Sequence, residues 1–338
     1  MSASTGQEEA GLKIREDGRS RTALLVLMIL ALALLSGAVA LTAKGVRVLQ
    51  AALDGRRERA QETRVTSFSL REQMGLEQAG ARVRGWMSVV ASETVTVSTE
   101  RGRLSAQLYA PLVPKDGAPW ALVLHGGLGT DHTQVMDVAC ALSLRGYRVL
   151  APDLYAHGRS EGSASSLGVR ETEDVAAWLA WIMREELHAR VVCYGQDEGG
   201  VALLLAAAQG MPECVAAVAA DSAYVSVRAR ARELLAEVDG GGLGQALLAP
   251  AYRLTHGVSI GRGEVEDQIA GANVPLLLIH GTGNTQVLAW QSEALAEAAG
   301  ENAQLLLVEG AEHGMARYLE PDAYHDALLG FFEAALRE

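Results

Sequence analysis

The chain has 338 residues, is 49% hydrophobic and carries a formal net charge of −12. That length supports one large domain with room for an extra segment, and the acidic balance argues against nucleic acid as a partner. Cys140, Cys193 and Cys214 are odd in number and irregular in spacing. They form neither a disulfide framework nor a metal-ligand pattern, so they are read as buried thiols, and no metal or cofactor is expected.

Residues 1–21 are polar, mixed in charge and read as a disordered tail. Thr22 to Ala43 has no charged residue and consists mostly of Ala, Leu, Val, Ile and Met. As a helix it reaches about 30 Å, the thickness of a bilayer core. A cleaved leader is the alternative, because Ala38-Val-Ala40 resembles a cleavage site. The length of the run and the acidic residues before it (Glu8, Glu9, Glu16, Asp17) favour a retained membrane anchor. Lys13, Arg15, Arg19 and Arg21 precede the span, and Lys44, Arg47, Arg56, Arg57 and Arg59 follow it. The positive-inside rule therefore does not fix the side on which the domain lies, and the extracytoplasmic side is the one preferred.

Residues 44–90 read as a helical linker that packs partly on the domain, with apolar residues at roughly helical spacing. From 91 to 338 strands and helices alternate. Glu93–Ser98 and Leu104–Ala110 form a hairpin around Glu100-Arg-Gly102. Apolar strands follow at Trp120–His125, Tyr147–Ala151, Ala189–Tyr194, Cys214–Ala220, Val274–His280 and Gln304–Glu309. Helices are expected over Asp131–Leu144, Leu167–Glu186, Val201–Ala208, Ser226–Glu237, Leu288–Ala299 and Pro321–Leu336. This order predicts an α/β domain with a mostly parallel sheet covered on both faces. The stretch 223–273 interrupts the alternation where a lid would sit, and 239–273 reads as irregular.

The run from Val191 ends in Gly195-Gln-Asp197-Glu-Gly199-Gly200 and then enters a helix-forming segment. Strand, glycine-flanked turn and helix are the context of a nucleophile elbow. Its apex residue stands above the sheet beside the positive end of a helix. Here the apex is Asp197.

Several motifs in order resemble the α/β-hydrolase superfamily, in particular the membrane-anchored bacterial hydrolases of its serine-aminopeptidase-like branch. They are His125-Gly126, Asp153-x-x-x-His157-Gly158-x-Ser160-x-Gly162, Gly195-x-Asp197-x-Gly199, Asp221-Ser-Ala-Tyr224, Ile279-His-Gly281 and Glu312-His313-Gly314. The resemblance covers residues 85–338 and implies an α/β-hydrolase fold acting on a small, fairly apolar molecule. It places the nucleophile at Asp197, the general base at His313, and the oxyanion hole at the N–H of Glu198 and the Gly127–Leu128 turn. His125 and His157 fall at motif positions that serve loop structure.

The chain departs from the family at two positions. The elbow serine is replaced by Asp197, and the acid that orients the histidine is replaced by Asn284. Asp221, at the end of the strand after the elbow helix, is an alternative orienter. As a nucleophile, Asp197 would attack carbon to form an ester that His313-activated water cleaves. Glu198 after it would repel a halide leaving group, and Tyr252, in the lid stretch, is the tyrosine considered as an acid. As a helix cap, Asp197 would satisfy free N–H groups at a position whose positive φ aspartate tolerates. The chain is then either a hydrolase with a non-standard triad or an inactive homologue that binds a ligand or a protein in the former cleft.

Overall fold

A computed structural model of the chain describes residues 18–55, 68–114, 116–239 and 242–337. The expected tail at 1–17 lies outside the described residues; residues 18–21 are already helical. Helix α1 runs from Gly18 to Ala52. The chain divides into two units, Met1–Lys44 and Gly45–Glu338. In the first, α1 carries an apolar, exposed surface from Leu24 to Leu41. The stretch Leu24–Ala52 is long and apolar enough to cross a membrane.

The second unit is built on eight strands: β1 (Ser92–Thr99), β2 (Gly102–Tyr109), β3 (Trp120–Leu124), β4 (Arg148–Asp153), β5 (Val191–Gln196), β6 (Val215–Asp221), β7 (Leu276–Gly281) and β8 (Ala303–Val308). They lie in the order β1-β2-β4-β3-β5-β6-β7-β8. β1 and β2 pair antiparallel, as do β2 and β4, and every other pairing is parallel. β3, β5 and β7 are buried along their whole length. That matches their continuous apolar runs, since a central parallel strand is covered on both faces.

Alternate residues serve two core layers. Leu122, Cys193 and Leu278 face one layer with Trp178, Leu204 and Leu234. Val123, Tyr194 and Ile279 face the other with Val138, Leu328 and Phe332. The first layer is closed by α4 (Glu171–Glu185), α5 (Asp197–Gln209), α6 (Val227–Asp239) and α7 (Leu243–His256). The second is closed by α2 (Leu70–Met87), α3 (Met136–Leu144) and α10 (Pro321–Ala335). α8 (Trp290–Ala299) packs on β7 and β8, and the short α9 (Ala316–Leu319) packs on α2.

The structure adds two corrections. The region 239–273 is not irregular throughout, because α7 occupies 243–256 with Pro250 inside it. The segment from 45 to 55 belongs to the domain: Leu49, Ala52 and Leu53 are fully buried in its first core layer. Cys140 and Cys193 are buried free thiols, and Cys214 is free and half-buried.

Candidate active site

The loops after β3, β5, β7 and β8 converge at one end of the sheet, the end where ligands bind in open α/β folds. β5 stops at Gln196 and α5 starts at Asp197, so the turn falls on Asp197, whose φ is +47°. Aspartate accepts this left-handed conformation more readily than most residues. The turn is held close to the loop after β3. A Cβ on Gly126 would stand 2.1 Å from the Gln196 carbonyl and 2.6 Å from the Asp197 Cβ, so only glycine fits.

His313, on the loop after β8, lies with Nε2 3.5 Å from Asp197 Oδ2. Both side chains are largely buried, with 11% and 6% exposure. The loop that carries His313 is tied down from outside, since the Glu312 N–H donates to Glu72 of α2 at 3.0 Å. Glu72 is itself buried and closes a capping box with Ser69.

Asn284 lies on the loop after β7, beside His313. Its Oδ1 accepts the backbone N–H groups of Gln286 and Val287, each at 3.0 Å. Those two donors fix which end of the amide is oxygen. The Nδ2 end lies 3.0 Å from His313 Nδ1 and 3.1 Å from His280 Nε2. An amide nitrogen donates and does not accept. With the amide in this orientation His313 Nδ1 is the atom placed to accept from it, and Nε2 is the ring nitrogen that faces Asp197.

Asp221 does not orient His313. Its carboxylate accepts hydrogen bonds from Tyr324 at 2.8 Å and Ser222 at 2.8 Å, and lies 3.3 Å from the Tyr194 hydroxyl. This network is buried beneath the site, and Arg317 Nη1 adds charge 3.9 Å away. Tyr252 is also drawn away from the cleft, because its hydroxyl donates to the Ser166 carbonyl at 2.7 Å. His125 and His157 serve their loops. His125 Nε2 accepts the Leu154 N–H at 3.0 Å, and His157 Nδ1 lies 3.0 Å from the Tyr155 carbonyl.

The side chain of Glu198 does not face solvent. It is 1% exposed and accepts a short hydrogen bond from the Ser165 hydroxyl. Burial pushes its carboxyl well above the ordinary range, and the charge of Glu171 adds to this. Its surroundings thus work against the second negative charge the sequence suggests. Its backbone N–H lies in the first turn of α5. The Asp197 carboxyl lies beside that turn, with Oδ2 3.5 Å from where a Gly127 Cβ would stand.

Sequence reasoning misses two charged residues. Arg230 of α6 is 11% exposed and pairs with Glu233 at 3.0 Å. Burial works against its charge, but the Asp197 carboxyl and Glu233 hold its guanidinium above the ordinary value. It stands at a cavity of about 410 Å³ shared with Gln286 and Trp290. Arg317, four residues past His313, is buried and fully engaged. It donates to Asp137 at 2.7 Å, to Gln196 Oε1 at 2.8 Å and to the Gln134 carbonyl at 2.9 Å. Gln134 in turn accepts the Gly126 N–H at 2.8 Å, so one guanidinium braces the elbow and the loop opposite it. Neither arginine stands out by spacing: Arg230 is one of three alternating arginines in α6, and Arg317 lies in the four-residue helix α9.

Among the described residues, Asp131, His132 and Asp153 have their ligand atoms within 4.8 Å of one another. Asp153 already accepts the N–H groups of His132 and Arg159 and binds His132 Nδ1 at 2.7 Å. That pattern braces a loop.

Residues 119–260 match the family described as alpha/beta hydrolase fold. The uncharacterised protein YfhR of Escherichia coli O157:H7 is 30% identical over 227 residues, which cover 66% of this chain and 73% of that protein. The chain belongs to the alpha/beta hydrolase family. An uncharacterised protein of Mycobacterium tuberculosis is 29% identical over 245 residues, covering 71% of this chain and 79% of its own. Among solved structures, the Pyrococcus furiosus esterase Pf2001 superposes with a TM-score of 0.56 at 21% identity, over 74% of this chain and 92% of the esterase. Est1E of Butyrivibrio proteoclasticus gives 0.56 at 19% identity, over 72% and 99%. This alpha/beta hydrolase therefore shares its fold with these two proteins.

Proposed function

We propose that this alpha/beta hydrolase homologue, placed in the serine-aminopeptidase-like branch, no longer hydrolyses esters and instead holds a small, fairly apolar ligand in the cleft above Asp197. Its N-terminal helix anchors it to a membrane, with the domain on the extracytoplasmic side. The observation that carries the reading is the Asn284 amide. A general base needs a free lone pair on Nε2 to take a proton from serine or water. An amide hydrogen directed at Nδ1 leaves a ring proton on Nε2, so the ring donates toward Asp197 instead. The Asp197 carboxyl also stands beside the hole where a substrate oxyanion would be held, which disfavours a second negative charge there.

A second reading is favoured by the preserved apex. Asp197 keeps the elbow conformation, and Oδ2 faces His313 at 3.5 Å. A carboxylate oxygen there would bond to an electrophilic carbon, the leaving group would depart with the bonding electrons, and water would cleave the resulting ester.

One experiment separates the two. The purified chain, His313→Ala and Asp197→Ser are assayed against aryl esters, epoxides and haloalkanes. The proposal predicts no turnover by the parent and weak ester cleavage by Asp197→Ser. Parent turnover that is lost in His313→Ala would overturn it in favour of the aspartate nucleophile.

A further inference from the structure

Helix α1 ends at Ala52, and the next three residues run along the wall of the site. Leu53 has no exposed side-chain surface and packs in the first core layer. Its carbonyl accepts the Ser165 N–H at 2.8 Å, and the Gly55 carbonyl accepts the Gly129 N–H at 3.0 Å. These two bonds reach both sides of the hole. Gly129 follows Leu128 directly, and the next residue, Thr130, bonds the Gly126 and Gly127 carbonyls at 2.6 and 2.8 Å. Ser165 holds the buried Glu198 carboxyl through its hydroxyl, while that hydroxyl also accepts the Leu167 N–H at 2.8 Å. Position 55 has to be glycine, because a Cβ there would come within 2.5 Å of the Ala156 carbonyl and 3.1 Å of His157.

We propose that residues 53–55 form a main-chain strap that positions both halves of the oxyanion hole, the Gly127–Leu128 turn through Gly129 and the Glu198 end of α5 through Ser165. A hole works by holding its N–H groups in place before charge develops, so a rigid support acts on the transition state rather than on ground-state binding. Backbone carbonyls suit this task because they have no rotamer freedom. The strap is the direct continuation of α1, the helix that bears the apolar span. The inference rests on assigning Gly127, Leu128 and Glu198 to the hole, and it holds whether or not the cleft is hydrolytic.

The test is hydrogen exchange, read residue by residue on the full chain in detergent micelles, for the parent, Gly55→Ala and Leu328→Ala. Leu328 lies in the opposite core layer, so its truncation reports general loosening. In the parent, the amides of Gly129 and Ser165 are expected to open together with residues 49–55, with one shared denaturant dependence. In Gly55→Ala, residues 126–130 and 163–168 are expected to exchange about tenfold faster while β5 to β7 stay unchanged. Three results would overturn the strap: Gly129 and Ser165 exchanging at open-loop rates in the parent, no change in Gly55→Ala, or acceleration throughout the sheet as in Leu328→Ala. If Gly55→Ala does not fold, the shared opening in the parent decides alone. In an Asp197→Ser, Asn284→Asp background, Gly55→Ala should lower kcat and leave KM unchanged. An inactive background counts against the hydrolase-derived function and leaves the exchange result standing.

Discussion

Exchanging two side chains should turn ester hydrolysis back on. Asp197→Ser supplies the nucleophile, but His313 still holds its proton on Nε2. Asn284→Asp removes that obstacle, and the structure is ready for it. The N–H groups of Gln286 and Val287 already donate to one oxygen position at 3.0 Å each. His280 Nε2 donates to the Val287 carbonyl at 2.7 Å and lies 3.1 Å from the other terminal atom of residue 284. His313 Nδ1 lies 3.0 Å from that same atom. Every neighbour of a carboxylate at 284 is thus a donor or becomes one when Nδ1 takes the proton. In a serine protease, loss of this acid costs about 10⁴ in turnover, which is about 5.5 kcal/mol of barrier. We therefore expect the double variant to cleave p-nitrophenyl esters about 10⁴-fold faster than Asp197→Ser alone. The melting temperature of each variant is measured alongside, to show that each is folded at the assay temperature. A double variant no faster than the single one would refute the reasoning, because the amide would then not be what disables His313.

Further outcomes follow from the same geometry. Gly126→Ala drives a Cβ into the Gln196 carbonyl and should destabilise by about 2–3 kcal/mol in urea unfolding; a loss under 0.5 kcal/mol would mean the loop relaxes freely. Arg317→Ala strips the buried Asp137 carboxylate of its partner and should cost about 3–5 kcal/mol by the same assay; a neutral result would show that water enters and replaces it. Burial pushes the Asp174 carboxyl up to about 7, against the pull of Arg101 and with the help of Glu171. The folded chain then binds a proton that the unfolded chain has released, so this stability is full below about pH 4 and is lost as pH rises through about 7. Asp174→Asn should flatten the fall in melting temperature between about pH 4 and 7, and an unchanged slope would assign the effect to another group. The full chain should stay with membranes after an alkaline carbonate wash, and a chain lacking residues 1–44 should not; a full chain found in the wash would remove the anchor.

Much of the fold is legible in the sequence because central parallel strands announce themselves. Trp120–Leu124, Val191–Tyr194 and Leu276–Ile279 are uninterrupted apolar runs that the sheet buries on both faces. The elbow is legible for a steric reason, the glycines that a tight strand-to-helix turn requires. Helix α7 is not, because a glycine-rich stretch before it and Pro250 within it mask its period. The strap is invisible for a different reason, since its contacts are made by main-chain carbonyls that any residue carries. The site shows the same division. Asp197, Asn284 and His313 come together as the motifs imply. Asp221 is drawn into the Tyr194–Tyr324 network, which no spacing foretells. The decisive orientation of Asn284 depends on two backbone N–H groups of the following turn, and only coordinates place those.

The most direct test of the proposed loss of hydrolysis is the tautomer of the His313 ring, read by ¹⁵N NMR on the full chain with ring-labelled histidine and His313→Ala for assignment. The Asn284 geometry predicts a ring proton on Nε2 and a hydrogen-bond-accepting Nδ1. A proton on Nδ1, with Nε2 free to accept, would contradict it and return His313 to the role of a working base.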